Sequence, residues 1–194
     1  MRKTLPLRRP SRYQSPKQDS ARREYVNWAV TVGSALLCLL LLPMRLPGME
    51  LLSIAPNWLL IWVVAWSIKR TVIQAAIAGL VLGLIQDGMT SPDPTHALSL
   101  IVVGVLTARL QKQRYLQEDF ISVALIVFGM TILAEMIATL QFSFFSYTPA
   151  GTDPFSIEKL AEIWQYRQQV ALTSAIVSSL WAPIVYYPLN RLWK

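Results

Sequence analysis

The sequence has few of the residues on which disulfides, metal sites and water-exposed surfaces depend. Its 194 residues include one cysteine, Cys38, and one histidine, His96. One cysteine cannot form an internal disulfide, and these two residues are too few to ligate zinc or an iron–sulfur cluster. Charged residues make up 15% of the chain, whereas about 25% is usual in soluble domains. We therefore expect no metal, no other cofactor and little surface in contact with water.

Catalytic signatures are missing as well. His96 stands near Asp93, but no serine or cysteine lies in a recognisable nucleophile setting. The chain has no glycine-rich phosphate loop and no paired carboxylates inside its apolar segments. The sequence predicts a protein that is not an enzyme.

What the chain does contain is a series of six apolar segments. The first has 18 uncharged residues, about the minimum for crossing a ~30 Å hydrocarbon core as a helix. The third and fourth are shorter and predict either two thin spans or one re-entrant hairpin. We predict an all-α polytopic membrane protein, a bundle of about six transmembrane helices over 26–43, 51–68, 71–86, 95–108, 120–142 and 170–188.

Basic residues are concentrated in the segments on one side of this arrangement. Residues 1–25 hold eight Lys and Arg, two acids and no apolar run, which predicts a disordered basic tail. With that tail in the cytoplasm, alternation of the spans places fifteen of the eighteen Lys and Arg residues inside. The positive-inside rule therefore predicts that both termini are cytoplasmic. The net charge of +7 then indicates orientation and contact with membrane lipid, and no nucleic-acid partner is expected.

Residues 26–194 are expected to form one transmembrane domain with a single sizeable outer loop. Within this loop, Asp153 and Pro154 predict a helix start, and apolar residues then recur at helical spacing. The pattern predicts a short amphipathic helix over 154–167. This helix would lie on the outer leaflet or contact the extracytoplasmic domain of a partner.

Small residues in the third segment recur every four positions and end at a carboxylate. Ala75, Gly79, Gly83 and Asp87 therefore share one helical face. Small residues let two helix backbones approach closely in lipid. This face is a candidate for packing inside the bundle or for an interface with a partner.

One ionisable residue, Glu135, lies inside a span. An intramembrane carboxylate is costly and normally faces the protein interior, and Thr131 and Thr139 lie one turn away on either side. These three residues form a candidate polar site, either a hydrogen-bonded structural glutamate or a contact with a partner or ligand.

Tryptophans recur every four residues along the second span. Trp58, Trp62 and Trp66 share one face and form a candidate aromatic seam, against lipid, against the bundle or against another transmembrane helix. Pro56 and Asn57 precede them and predict a turn entry from which the regular helix starts.

The middle of the chain resembles the rod shape-determining protein MreD family over about residues 50–115. The similarity rests on a Pro-Asn entry, a basic turn, a small-residue run that ends in Asp, and a span closed by basic residues. These are Pro56-Asn57, Lys69-Arg70, Ala78-Gly79-Leu80-x-x-Gly83-Leu84-x-x-Asp87, His96-Ala97-Leu98, Gly104 and Arg109-x-x-Lys112.

The resemblance implies a non-catalytic, multi-pass scaffold of the bacterial inner membrane that acts in cell elongation and regulates cell shape. Implied partners are an MreC-like bitopic protein, MreB, a RodA-type glycosyltransferase and a transpeptidase of peptidoglycan synthesis. An alternative of similar size and span number is the substrate-binding membrane subunit of an energy-coupling-factor vitamin importer. That alternative requires an outer polar pocket, for which Glu135, Asn57 and His96 are the candidates.

Overall fold

The structure is a computed structural model that describes residues 16–44, 51, 54–90, 96–112, 120–145 and 157–192. Within these residues the chain is helical apart from turns and an isolated bridge between Leu51 and Ile54. The six helices are α1 Pro16–Leu41, α2 Trp58–Ser67, α3 Val72–Thr90, α4 His96–Lys112, α5 Phe120–Phe145 and α6 Ile157–Leu192.

Three helices contain stretches long and apolar enough to cross a membrane. These stretches are Val72–Thr90, Phe120–Gln141 and Trp164–Arg191. Three more apolar helical stretches are shorter, namely Tyr25–Leu41, Trp58–Ser67 and His96–Leu110. The 19 residues of α3 give a helix of about 28 Å, close to the ~30 Å thickness of a hydrocarbon core.

Helix α2 is short and lies at the centre of the bundle, where it packs against the other five helices. Asn57 caps its start by accepting a hydrogen bond from the Leu60 N–H through Oδ1 (3.1 Å). Its ten residues correspond to about 15 Å, about half of a membrane span. Leu59 to Val64 are almost fully buried, as expected for a helix that is apolar on all sides. Among the described residues of the segment predicted as a span over 51–68, the helix therefore covers only Trp58–Ser67.

Two helices extend beyond the segments predicted from hydropathy. Helix α1 begins at Pro16, inside the segment predicted to be a disordered tail, and Pro is favoured at the first position of a helix. Helix α6 is continuous over 36 residues and joins most of the predicted loop helix to the last span. No Gly or Pro occurs between residues 155 and 182 to interrupt it. Asp153 and Pro154 lie outside the described residues.

The helices pack as antiparallel neighbours in two pairs. Gly83 of α3 approaches Ala97 near the start of α4, and Phe120 at the start of α5 stacks on Tyr187 near the end of α6 at 5.6 Å. The two ends of the bundle therefore carry different residues. We name them the basic end, with Lys69, Arg70, Arg109 and Arg191, and the polar end, with Asp87, His96, Glu135 and Arg167.

Candidate functional site

The small-residue face of α3 lies directly against the backbone of α4. A Cβ added to Gly79 would overlap the Leu100 carbonyl and lie 2.9 Å from the Ile101 nitrogen. A Cβ added to Gly83 would overlap the Ala97 Cα and lie 2.9 Å from the Ala97 nitrogen. The neighbouring atoms belong to the backbone, so a side-chain rotation cannot make room for a methyl group. These two glycines are therefore required for the close approach of the two helices.

Helix α4 contributes a matching glycine at the other end of the same contact. A Cβ added to Gly104 would lie 2.7 Å from the carbonyl oxygen of Ala75, which is itself fully buried. Ala75, Gly79 and Gly83 thus face one neighbour, α4, along about two helical turns. The structure places this part of the predicted face inside the bundle.

Asp87 completes this face and caps α4 from the neighbouring helix. Its Oδ1 accepts a hydrogen bond from the His96 N–H (2.8 Å), and its Oδ2 accepts one from the Ala97 N–H (2.9 Å). These are N–H groups at the start of α4, which have no acceptor within their own helix. A carboxylate is favourable at this position because a helix N-terminus carries partial positive charge. Asp87 is 5% exposed, so the cap is largely shielded from solvent.

The Asp87 carboxylate also contacts a titratable side chain. Its Oδ1 lies 2.8 Å from Nδ1 of His96. The His96 side chain is 32% exposed and has electrostatic interactions with Glu135 of α5, as does Arg167 of α6. Groups from four helices therefore meet at the polar end.

In the predicted polar site around Glu135, both threonine hydroxyls bond to the backbone of their own helix. The hydroxyl of Thr131 donates to the Val127 carbonyl (2.8 Å), and that of Thr139 donates to the Glu135 carbonyl (2.7 Å). Both threonines are buried, whereas Glu135 is half-buried. Each hydroxyl thus bonds to the backbone one turn earlier, which satisfies a polar group inside an apolar helix.

The tryptophan face of α2 forms an aromatic column toward α1 and α6. Trp58 packs against Trp181 of α6, with ring centroids 5.9 Å apart, and Trp62 stacks on Trp66 at 5.7 Å. The indole N–H of Trp62 donates to Ser34 Oγ of α1 (2.9 Å). Trp58 and Trp62 are buried, whereas Trp66 is half-buried. Two of the three tryptophans of this seam, Trp58 and Trp62, therefore pack within the chain.

The Pro-Asn entry fixes α2 against the middle of α6. Besides capping α2 with its side chain, Asn57 donates its backbone N–H to Ser178 Oγ (3.0 Å). Pro56 is buried, and its carbonyl accepts a bond from the Trp58 N–H (3.0 Å). Ser178, which is fully buried, thus supplies the acceptor for a backbone group at the point where the chain becomes helical.

The small-residue pattern identifies α3 as a close-packing helix but does not identify the helix against which it packs. The signal on α4 is a second series of small residues, Ala97, Gly104 and Ala108, which recur at helical spacing and are buried. His96 as a partner of Asp87, and Ser178 as a partner of Asn57, have no comparable pattern in the sequence. Among the described residues, no group of three His, Cys, Asp or Glu side chains could hold a metal ion.

Comparison with known proteins gives one result. The model of the family described as rod shape-determining protein MreD matches residues 22–188, a range that includes all of α2 to α5 and most of α1 and α6. No curated protein and no solved structure matches the sequence. The family comprises non-catalytic membrane proteins that determine cell shape. Since the match covers most of the sequence and every contact described above, the chain belongs to the rod shape-determining protein MreD family.

Proposed function

We propose that this chain is a non-catalytic scaffold of the bacterial cell-elongation machinery, embedded in the inner membrane. It would bind an MreC-like bitopic protein and, with MreB, a RodA-type glycosyltransferase and a transpeptidase, organise peptidoglycan synthesis. The observation that carries this proposal is the family match over residues 22–188.

The distribution of charge supports an orientation with both termini in the cytoplasm. The basic end of the bundle carries four cations, because antiparallel packing of the helices places their positions at the same end. These are Lys69, Arg70, Arg109 and Arg191. Basic residues are retained on the cytoplasmic side of membrane proteins. We therefore assign the basic end to the cytoplasm and the polar end to the outer side.

The packing of α3 on α4 restricts where a partner binds. The Ala75, Gly79 and Gly83 face is occupied by the chain's own α4, so we assign this face to internal packing. Partner helices would contact faces that project large apolar side chains outward. Such residues include Ile73, Ile77 and Leu84 of α3, Ile121 and Leu125 of α5, and Leu172, Ile176 and Leu180 of α6.

The vitamin-importer alternative draws no support from its candidate residues. It requires a pocket lined by Asn57, His96 and Glu135. Asn57 instead bonds to Leu60 and Ser178, and His96 bonds to Asp87. Asn57 and His96 therefore take part in the hydrogen bonds at the starts of α2 and α4.

Complementation and purification together test the scaffold function. A rod-shaped bacterium depleted of its own family member should regain rod shape with this chain, and an MreC-like protein should co-purify in mild detergent. Gly79→Leu should abolish both effects because it separates α3 from α4. Gly33→Leu on α1 is the matched control, since a Cβ there meets no atom within 4 Å and Gly33 lies outside the α3, α5 and α6 faces named above. Rescue by Gly79→Leu as complete as that by the wild-type chain, or co-purification of an ATPase module instead, would refute the proposal.

A further inference from the structure

The basic end carries three exposed cations on two neighbouring elements. Lys69 and Arg70 form the turn between α2 and α3, and Arg109 lies near the end of α4. All three side chains are exposed. We name these three residues the basic patch.

The register of α3 and α4 brings Arg109 level with the turn. A Cβ at Gly104 would lie 2.7 Å from the Ala75 carbonyl oxygen and 3.5 Å from Ser67 Oγ. Arg109 follows Gly104 by five residues, and Arg70 precedes Ala75 by five on the antiparallel helix. Arg109 is therefore about 7.5 Å further along the α4 axis from this contact, and Arg70 lies in the turn just before α3, toward the same end of the bundle. The three cations of the basic patch thus lie at the same end of the α3–α4 pair, although they are up to 40 positions apart in the sequence.

A tryptophan lies next to the patch. The guanidinium carbon of Arg70 lies 5.3 Å from the centroid of the Trp66 ring, within the range of a cation–π contact. The indole Nε1 of Trp66 is buried and has no hydrogen-bond partner among the described residues. Tryptophan is enriched at the depth of the lipid headgroups. The patch therefore combines positive charge with an aromatic ring in contact with one of its arginines.

The charge of the patch is not compensated by the part of the chain whose side chains the structure describes. The acids of that part are Asp87 and Glu135, which lie at the polar end. Beside the patch, α3 exposes Ile73 and Ile77, with 73% and 56% of their surface accessible. A phosphate bound at the patch would therefore have an apolar helix face next to it, on which acyl chains can lie.

We propose that Lys69, Arg70 and Arg109 form a binding site for the phosphate headgroup of an anionic phospholipid. The two guanidinium groups can each donate two parallel hydrogen bonds to phosphate oxygens, and the Lys69 ammonium adds a compact charge. Basic clusters at the membrane surface attract anionic lipid by about five-fold in affinity for each Lys or Arg. This site is separate from scaffold binding and does not depend on it.

Lipid binding to the purified full chain tests the proposal. Native mass spectrometry in mild detergent would measure the affinity for phosphatidylglycerol, with phosphatidylcholine of the same acyl chains as the neutral comparison. We expect a clear preference for phosphatidylglycerol. Arg70→Gln should lower this affinity about five-fold and the triple variant Lys69→Gln/Arg70→Gln/Arg109→Gln about 100-fold. Arg191→Gln removes a cation at the same end but outside the patch and should leave the affinity unchanged.

Three other results would each contradict the proposal, for different reasons. Equal binding of the two lipids would show that headgroup charge is not recognised. An equal loss in Arg191→Gln and Arg70→Gln would show diffuse attraction by the whole basic end. Displacement of the lipid by inorganic phosphate at a similar concentration would show a soluble phosphate ligand. If the triple variant fails to fold, Arg109→Gln alone should still lower the affinity about five-fold, and an unchanged affinity would refute the role of Arg109.

Discussion

The contact between α3 and α4 predicts that one added methyl group destabilises the whole bundle. In Gly83→Ala the new Cβ would lie 2.9 Å from the Ala97 nitrogen and would overlap the Ala97 Cα. Carbon atoms in ordinary contact are about 3.5–4.0 Å apart. The two helices must therefore separate by at least about 1 Å at this point, because neither neighbouring atom belongs to a side chain.

This separation also acts on Asp87, one turn further along α3. Its bonds to the His96 and Ala97 N–H groups, now 2.8 and 2.9 Å, would lengthen to nearly 4 Å and be lost. Overpacking costs about 1–3 kcal/mol, and each bond to a charged group contributes about 1.5–3 kcal/mol. The better helix propensity of Ala returns about 1 kcal/mol. We expect a net loss of about 3 kcal/mol or more in the free energy of unfolding.

The assay is equilibrium unfolding of the full chain, from mild detergent into SDS, followed by tryptophan fluorescence. The matched control is Gly129→Ala on α5, where the new Cβ meets no atom within 4 Å. That variant should keep or slightly raise the free energy of unfolding. If Gly83→Ala unfolds at the same SDS fraction as Gly129→Ala, the close approach of α3 and α4 is not as described. The added change Ala97→Gly should not rescue Gly83→Ala, because the overlap is with the backbone.

Three further substitutions test the polar contacts of the interior by the same unfolding measurement. Asp87→Ala leaves two N–H groups at the start of α4 without an acceptor and should cost about 2 kcal/mol or more, whereas Asp87→Asn should recover part of this; equal losses would contradict the capping role. Ser178→Ala removes the acceptor of the N–H of the half-buried Asn57 and should cost about 1–3 kcal/mol, and an unchanged midpoint would show that the bond does not contribute. Trp62→Phe removes the bond to Ser34 and should cost about 1 kcal/mol, and Ser34→Ala made in the Trp62→Phe background should cost less than Ser34→Ala alone, since only the bond from Ser34 Oγ to the Thr31 carbonyl is left to lose.

The close-packing face of α3 follows from the sequence because its signal is local. Glycine and alanine at four-residue spacing define one face of a helix whatever that helix packs against. The spacing does not specify the neighbour, since an internal helix and a partner helix would use the same small residues. The neighbour becomes identifiable only when Gly104 is seen opposite Ala75, a pairing that depends on the register of two helices.

The second span shows where hydropathy fails. Residues from Leu51 to Ala55 are as apolar as the helix that follows, so composition alone predicts one continuous span. Apolar residues are required both for a helix in lipid and for backbone buried within protein. The Pro-Asn pair distinguishes the two cases, because it indicates the start of a helix. In the structure, α2 begins directly after Asn57. The position of this cap within the bundle depends on a bond to Ser178, which lies 121 positions away in the sequence. No residue near Asn57 in the sequence indicates that bond.

The pairing of Asp87 with the start of α4 also bears on whether residues 71–108 can cross a membrane as two helices. Helices α3 and α4 have 19 and 17 residues, about 28 and 25 Å, so their ends lie near the limits of the hydrocarbon core. A free helix start at that depth would expose N–H groups to lipid, at a cost of several kcal/mol for each group. An unpaired carboxylate there would be costly as well. Because Asp87 satisfies two of those N–H groups and is itself buried against them, it lowers both costs, and α4 can start at such a depth more cheaply than an uncapped helix.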